Sequence, residues 1–432
     1  MDVVTSSQSE KPPSSARAGD SPTLQRRLGV TDSVIIGLGA MIGAGIFAAL
    51  GPAAAAARGG LLIALATAAV IAYCNAMSSA RLAALYPESG GTYVYGRERL
   101  GPFWGYLAGW GFVVGKTASC AAMALTVGTY AWPGHEHAVA VAAVLVITGV
   151  NYVGVQKSAM LARIIVTVVL AVLALVVIVS LTGASTARSP FTTDDSATFI
   201  GVMQAAGLLF FAFAGYARIA TLGEEVRDPK RTIPRAIPIA LTITLIVYAV
   251  VAIAVLSALG TEGLAAATDP LAQAVRAAGF GQFEVIVRVG AVIAALGSLL
   301  SLVLGVSRTS FAMARDGYLP HALAQVHPRF GVPHRAELVV GVVVAVIAAT
   351  VDVREVIGFS SFAVLAYYLI ANASAWTLSP HARTRVVPTL GGIGCIVLAA
   401  FLPAASVAAG IGVLAIGALF YAARQRTTKP VR

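Results

Sequence analysis

The sequence predicts an all-α membrane protein with twelve transmembrane helices. Of its 432 residues, 58% are hydrophobic and only 11% are charged, whereas a soluble domain carries about 25% charged residues. A soluble protein of this size could not bury so much apolar surface. Disordered chains have few hydrophobic residues and a high net charge, and disulfide-stapled secreted domains are rich in cysteine. This sequence has neither composition. The charged residues are separated by long apolar runs, which is typical of helices that cross a bilayer.

Twelve spans follow from runs that reach or approach the roughly 20 residues of a spanning helix. Two runs include one cation each, and the longest run is divided into two spans by Pro403. The shortest run is the ninth. In chain order the runs are Ser33–Ala57, Gly59–Ala80, Phe103–Trp132, Ala138–Gln156, Ile164–Ala187, Phe199–Leu222, Ala236–Thr261, Val289–Ser307, Leu338–Val351, Val356–Ala382 and Val386–Ala423.

The distribution of Lys and Arg predicts the orientation. With the N terminus in the cytosol, 23 of the 30 cations lie on the cytosolic side and five on the outer side. Cytosolic loops collect Lys and Arg, and a miscounted span would have removed this bias by inverting the later loops. We therefore expect a multi-pass protein of the cell (inner) membrane with both termini in the cytosol.

The spans divide the chain into five parts. The first part is polar and rich in Ser, Pro and Arg, without the apolar core of a signal peptide. It is predicted to be a disordered cytosolic tail. The parts are the tail 1–29, the first five spans in 30–187, the next five in 188–380, the last two in 381–424 and a cytosolic tail in 425–432.

Nothing in the sequence indicates a metal centre, a cofactor or an enzyme. The three cysteines fall in spans and the six histidines in loops, without the spacing of metal ligands. No carboxylate pair and no Cys–His group lies within the spans, as a membrane-embedded enzyme would require. Nucleic-acid binding is disfavoured too, because the cations follow a membrane topology rather than one face of a folded domain.

Two spans carry sequence suited to an interrupted helix. The stretch Gly37–Phe47 in span one has four glycines within nine residues, and Gly215 in span six lies among aromatic residues. The alternatives are a GxxxG packing motif at Gly39 and Gly43 in span one and a simple glycine kink in span six. Spans one and six correspond in two five-span halves, which points to a transporter built from inverted repeats. Interrupted helices offer free N–H groups to an anion and free C=O groups to a cation.

Two cations lie inside predicted spans. Lys116 is in the middle of span three, and a lipid-facing ammonium there would cost several kcal/mol. We therefore expect Lys116 to face an internal cavity or a polar partner. Arg218 follows the glycine of span six and either belongs to the same site or extends to the cytosol.

Four stretches together are specific to a known family. The chain resembles the amino acid–polyamine–organocation (APC) transporters, and in particular bacterial amino acid permeases, over residues 25–425. The stretches are Gly39–Phe47, Tyr86–Tyr95 leading to Gly109 and Trp110, Phe210–Tyr216 followed by Gly223–Arg231 and Pro234, and Met313–Pro320.

The resemblance implies a leucine-transporter-like fold, with ten core helices in two inverted repeats of five and two peripheral helices. It implies a secondary transporter of amino acids that works by alternating access without a cofactor. The substrate carboxylate would meet backbone amides of span one, the amino group would meet carbonyls of both breaks, and aromatic residues would gate the site. The implied residues are Met41, Ile42, Gly43, Ala44, Gly45, Phe210, Phe211, Phe213, Ala214, Gly215 and Tyr216.

Departures from the family pattern bear on the substrate. Some relatives that carry cationic amino acids have acidic residues in span three, where this chain has Gly111 and Gly115. Many members have an acid two positions after the glycine of span six, where this chain has Ala217. A site without a carboxylate and near cations repels a cationic side chain. We therefore expect neutral amino acids, with acidic ones less favoured and with cationic amino acids or polyamines as the alternative.

The coupling ion is open at this point. Several relatives have a lysine in span five in the place of a sodium ion. Alignment on Gly154–Ala159 puts Val169 there in this chain. The family favours proton symport. Lys116 is a candidate for the missing charge, while Ser298 and Ser301 are candidate sodium ligands.

Charged residues of the cytosolic loops are predicted either to latch an inward gate or to be ordinary solvated charges. A non-transporting sensor on the same scaffold is a less favoured alternative, because sensors usually need a long soluble tail. The loop residues are Glu224, Glu225, Arg227, Asp228, Arg231, Arg308, Arg315 and Asp316.

Overall fold

A computed structural model describes residues 28–87, 90–153, 159–183, 197–223 and 225–428. Nearly all of these residues are helical, and within these ranges the only β-bridge joins Leu28 and Val226. Most of the predicted N-terminal tail, Lys157 and Glu224 lie outside the described residues.

Seventeen α-helices are present in the described ranges. The predicted first span is three helices, and short 3-10 turns follow α3 and α9. In chain order the helices are α1 (Val30–Met41), α2 (Ala44–Ala48), α3 (Leu50–Ala57), α4 (Leu61–Leu85), α5 (Thr92–Leu100), α6 (Pro102–Ala131), α7 (Glu136–Tyr152), α8 (Ala159–Thr182), α9 (Phe199–Phe213), α10 (Ala217–Ala220), α11 (Pro229–Ala266), α12 (Pro270–Ala277), α13 (Glu284–Arg315), α14 (His334–Thr350), α15 (Val353–Trp376), α16 (Ala382–Phe401) and α17 (Ala404–Thr428).

Ten helical runs in the described ranges are long and apolar enough to cross a bilayer. The two predicted spans outside this set correspond to α7 and α14, which have 17 residues each. A helix of 17 residues is about 26 Å long, just under the roughly 30 Å of a bilayer core. The structure therefore supports ten of the twelve predicted spans and does not confirm the other two.

The exposed surface of the helices is apolar. Met160 and Leu419 are each 69% exposed and Val70 is 62% exposed, and patches of this kind on a soluble protein would drive aggregation. The most apolar windows of α16 and α17 are only 22% and 17% buried, whereas that of α6 is 83% buried. The protein is therefore a multi-pass membrane protein with α6 inside the bundle and α16 and α17 at its periphery.

The interrupted segments lie at the centre of this bundle. Helix α6 packs against α13 and α15, while α4 packs against α9 and α11, and α1 packs against α8 and α11. Alanine and glycine are frequent on the buried faces, which lets membrane helices approach closely. The short pieces α2 and α10 are thus enclosed by long continuous helices.

A buried amide cluster joins α4 to α15. The side-chain amide of Asn372 donates to Oδ1 of Asn75 at 2.6 Å, and Ser78 Oγ donates to Oδ1 of Asn372 at 2.7 Å. All three residues are at most 1% exposed. These bonds pair buried polar groups to which lipid offers no hydrogen bond.

We expect the substitution Asn372→Ala to destabilise the protein by about 1 kcal/mol, the scale of hydrogen bonds between membrane helices. The reason is that Asn75 and Ser78 lose their common partner. Thermal unfolding of the purified protein in detergent micelles measures the effect. The control is Thr350→Ala, which removes an exposed hydroxyl bonded within its own helix. Equal unfolding temperatures for the two variants would contradict the expectation.

Candidate functional site at two interrupted helices

The first interruption lies between α1 and α2. Ile42 (φ −80°, ψ 51°) and Gly43 (φ −105°, ψ −133°) are not helical. Glycine is required at position 43 for space, since a Cβ there would collide with Oγ of Ser298 on α13. A Cβ at Gly45 would lie 2.6 Å from Cα of Ala212 in α9. The interrupted segment therefore passes the backbone of α9 and the Ser298 side chain of α13 at contact distance.

The second interruption is a tightened turn rather than an opened one. Helix α9 ends at Phe213, and Ala214–Tyr216 form a 3-10 turn before α10. Ala214 has φ −64° and ψ −4°, so the backbone stays right-handed. A Cβ at Gly215 would collide with the carbonyl of Ala40 at the end of α1. The two interruptions are therefore in direct contact.

Tyr248 of α11 ties the two interruptions together. Its hydroxyl lies 2.5 Å from the carbonyl oxygen of Met41 and 3.1 Å from that of Ala212. A phenol has one O–H to donate, so the two carbonyls share it. Ser298 Oγ on α13 donates to the Gly39 carbonyl at 3.0 Å. Side chains of neighbouring helices thus replace backbone hydrogen bonds that the interruption removes.

Lys116 of α6 reaches the C-terminal end of α9. Its Nζ donates to the carbonyl of Ala214 at 3.2 Å, and the residue is 5% exposed. The hydroxyl of Tyr368 donates to the same oxygen at 3.2 Å. Ala214 caps the C terminus of α9, where the helix dipole favours a cation. No carboxylate of the described residues forms a salt bridge with Lys116.

A cavity of about 110 Å³ connects this point with the N-terminal face, which we define as the face that carries Leu28 and the loops on either side of α5. We call it the N-terminal cavity. Its charged lining residues are Lys116, Arg218, Arg308 and Glu225, and its uncharged ones include Phe112, Ala214, Gly215 and Ser301.

The N-terminal cavity carries more positive than negative charge. Arg218 is half-buried and donates to Oγ1 of Thr221 at 3.2 Å. Arg308 lies 3.8 Å from the carboxylate of Glu225. Three cations thus face one carboxylate among the described lining residues. Such a cavity raises the local concentration of anions and lowers that of cations.

The predicted gate aromatics pack away from this cavity. Tyr216 stacks on Tyr368 with ring centroids 5.0 Å apart, and Phe210 meets the same ring edge-on at 5.8 Å. Phe210, Phe213 and Tyr216 are fully buried, and Phe211 is 6% exposed. Phe210 and Tyr216 thus pack against Tyr368 of α15, while the ring of Phe213 lies 5.2 Å from that of Tyr248 on α11.

The charged loops at the N-terminal face are partly joined. The amide of Leu28 donates to the carbonyl of Glu225 at 3.1 Å, and the amide of Arg227 donates to the carbonyl of Leu28 at 2.8 Å. These bonds fix the start of α1 to the loop after α10. Among the described residues, Arg231 pairs within its own turn alone, with Asp228 at 3.7 Å.

A second contact at this face joins α5 to the end of α13. Asp316 accepts a hydrogen bond from the hydroxyl of Tyr93 and lies 3.5 Å from the guanidinium of Arg97. Burial, together with the adjacent Asp316 carboxylate, raises the pKa of Tyr93 above its ordinary value. Tyr93 therefore keeps the proton that it donates.

The site is covered on the opposite face by Phe47 and Tyr130. The hydroxyl of Tyr130 donates to the Phe47 carbonyl at 3.1 Å, and the two rings meet edge-on at 5.7 Å. Arg288 holds Tyr130 in place through its carbonyl at 3.2 Å and pairs with Asp269 and Glu284. A cavity of about 480 Å³, the opposite cavity, lies beyond this cover; its charged lining residues are Glu136, Asp352, Arg354 and Glu355.

No group of three or more His, Cys, Asp or Glu residues in the described ranges has a metal-binding arrangement.

The profile of the amino acid permease family matches residues 28–431. The chain belongs to this family. The resemblance to APC transporters, the amino acid permease assignment and the expectation of a transporter rather than an enzyme are thereby confirmed.

Individual relatives agree on transport and differ in substrate. A Mycobacterium tuberculosis protein named as an uncharacterized transporter is 64% identical over 95% of this chain and 93% of its own. The branched-chain amino acid permease BcaP of Bacillus subtilis is 26% identical over 82% of this chain and 81% of its own. A methylthioribose transporter of the same species is 27% identical over 93% and 94%.

The structure brings most of the predicted residues together at the two interruptions. Of these, Ala214, Gly215, Lys116, Arg218 and Ser301 reach the N-terminal cavity. The segment 41–45 lies against α9 and α13 instead, where Ser298 contacts it. Ser301 donates to Gly297 within its own helix at 3.2 Å.

Sequence reasoning missed Tyr248 and Glu337. A tyrosine inside an apolar run was an available signal, because its hydroxyl needs a buried partner. Glu337 directly precedes the ninth predicted run and was counted outside it. The structure buries it completely, and in the described part of the chain neither carboxylate oxygen has a hydrogen-bond partner.

We expect the substitution Gly43→Val to abolish amino acid uptake into proteoliposomes while the protein still inserts into membranes. The reason is that a side chain at position 43 displaces Ser298 and the first interruption. The matched control is Gly412→Val on α17, where a Cβ meets no atom within 4 Å. Uptake at the wild-type rate in Gly43→Val would show that the interruption is not part of the transport site.

Proposed function

We propose that this permease is a secondary active transporter that moves neutral amino acids across the cytoplasmic membrane by alternating access. The contact between the two interruptions is the observation that carries the proposal. We further propose that α7 and α14 also cross the bilayer, which makes twelve spans, ten of them in a leucine-transporter-like pair of inverted repeats. The N-terminal face is then the cytosolic face, with both termini inside.

Backbone groups at the interruptions suit a zwitterion. A buried zwitterion is costly unless both of its charges are paired. The amides of Gly43, Ala44 and Gly45 begin α2 and are the proposed partners of the carboxylate, with α2 and α3 behind them as a helix N terminus. The proposed partners of the amino group are carbonyls of residues 41–42 and 213–214. Two of these, at Met41 and Ala214, accept protein donors in this conformation.

The charges near the site favour neutral substrates. A lysine, arginine or polyamine leaving through the N-terminal cavity would pass Lys116, Arg218 and Arg308, with Glu225 as the one described acid. Like charges at close range in a medium of low dielectric repel strongly. A neutral side chain avoids this cost.

One observation favours the alternative of a cationic amino acid or polyamine transporter or exchanger. The opposite cavity is lined by three carboxylates, of Glu136, Asp352 and Glu355, against the single guanidinium of Arg354. This arrangement attracts cations to that entrance. The charges of the two cavities therefore favour opposite results for arginine: the N-terminal cavity repels it and the opposite cavity attracts it.

Uptake of a labelled amino acid panel into proteoliposomes distinguishes these substrates. We expect accumulation of neutral amino acids, with arginine and putrescine at least about tenfold slower because of the cations at the site. Protein-free liposomes serve as the control. Accumulation of arginine or putrescine alone would overturn the neutral-substrate proposal and favour the alternative.

We propose the proton as the coupling ion. Glu337 supports this choice because it is a fully buried carboxyl with no hydrogen-bond partner among the described residues, on a helix that packs against α6, α7 and α13. An anion without a partner is unstable there, so the group holds a proton unless a cation approaches. Sodium, with Ser298 and Ser301 as ligands, is the alternative.

We expect Glu337→Gln to reduce the stimulation of uptake by an inwardly directed proton gradient, because the amide cannot exchange a proton. Uptake with and without the gradient, at fixed sodium, is the measurement. The control is Glu262→Gln, which alters an exposed acid. If both variants keep the wild-type stimulation, Glu337 is not the coupling group.

A further inference from the structure

Lys116 occupies the place that the proposed function assigns to the amino group of the substrate. Its Nζ lies 3.2 Å from the carbonyl oxygen of Ala214, which is one of the carbonyls proposed to receive a substrate ammonium. Both groups are primary ammonium ions with three donors. The protein thus places an ammonium group where the proposed function places that of the substrate.

The end of α9 favours a cationic donor. The carbonyl of Ala214 caps the C terminus of α9, and the C-terminal end of a helix carries partial negative charge. A buried carbonyl without a donor is costly. Tyr368 supplies a neutral donor to the same oxygen at 3.2 Å, but it supplies no charge.

No acidic side chain accounts for the position of Lys116. In the described part of the chain it forms no salt bridge, and its hydrogen bond to Ala214 is to the backbone. A substrate ammonium and the Lys116 ammonium cannot share this oxygen at low cost, because like charges repel strongly in a buried site. The N-terminal cavity, which Lys116 also lines, offers space for the displaced side chain.

We propose that Lys116 is a built-in surrogate for the substrate's ammonium group. It occupies the Ala214 carbonyl when the transporter is empty, and it thereby allows the empty transporter to change from one face to the other. This inference rests on the proposed function and deepens it. Its consequence is net transport, because a transporter that reorients only when loaded can do no more than exchange one substrate molecule for another.

The test compares two transport modes in proteoliposomes of the same preparation. Net uptake is measured into empty vesicles, and exchange is measured into vesicles preloaded with the same unlabelled amino acid. In Lys116→Met we expect net uptake to fall at least about tenfold more than exchange, because only the empty step loses its cation. Lys116→Arg retains the charge and keeps a ratio of net uptake to exchange near that of the wild type. Tyr368→Phe removes the neutral donor and also keeps this ratio.

Two results would contradict the proposals, and each one refutes a different proposal. Equal losses of both modes in Lys116→Met, with an unchanged unfolding temperature, would overturn the proposal, because Lys116 would then serve the loaded transporter. If the methionine variant does not fold, Lys116→Gln carries the same expectation and the same contradiction. A wild-type protein that transports no amino acid in either mode would refute the proposed function itself, which separates the two failures.

Discussion

The close contact between the two interruptions is the constraint on which the rest of the structure depends. Gly43, Gly45 and Gly215 leave no room for a side chain because each faces another helix at contact distance. Interrupting a helix inside a bilayer frees backbone groups that lipid cannot satisfy. Tyr248 and Ser298 therefore reach in from α11 and α13 to bind them. The long surrounding helices keep these donors in position.

The charged residues around this contact differ in sign between the two faces of the protein. The interior holds Lys116 against a helix end rather than against an acid. The cavity towards the N-terminal face is positive on balance, and the cavity on the opposite face is negative on balance. Phe47 and Tyr130 close the site on one side, while the N-terminal cavity reaches Lys116 from the other. In the proposed mechanism this conformation faces the cytosol.

Much of the fold follows from the sequence because hydropathy and glycine placement are local signals. The apolar runs predicted the helical bundle, and the glycines at positions 37 to 45 predicted an interruption within Gly37–Phe47, which the structure has after Met41. The turn at Ala214 was harder, since a 3-10 turn and an opened helix have the same composition. Tyr248 was not predicted because its partners are far away in the chain. Glu337 was missed because an acid at the edge of a run resembles a loop residue until packing buries it.

The most direct measurement of the central claim is an experimentally determined structure of the protein bound to the amino acid that it transports. We expect density for the substrate between the two interruptions, with its carboxylate within hydrogen-bonding distance of the amides of residues 43–45. We also expect the substrate's amino group at the end of α9 and the Nζ of Lys116 withdrawn from the Ala214 carbonyl. Substrate density confined to the opposite cavity, with Lys116 still bound to Ala214, would contradict binding at the two interruptions.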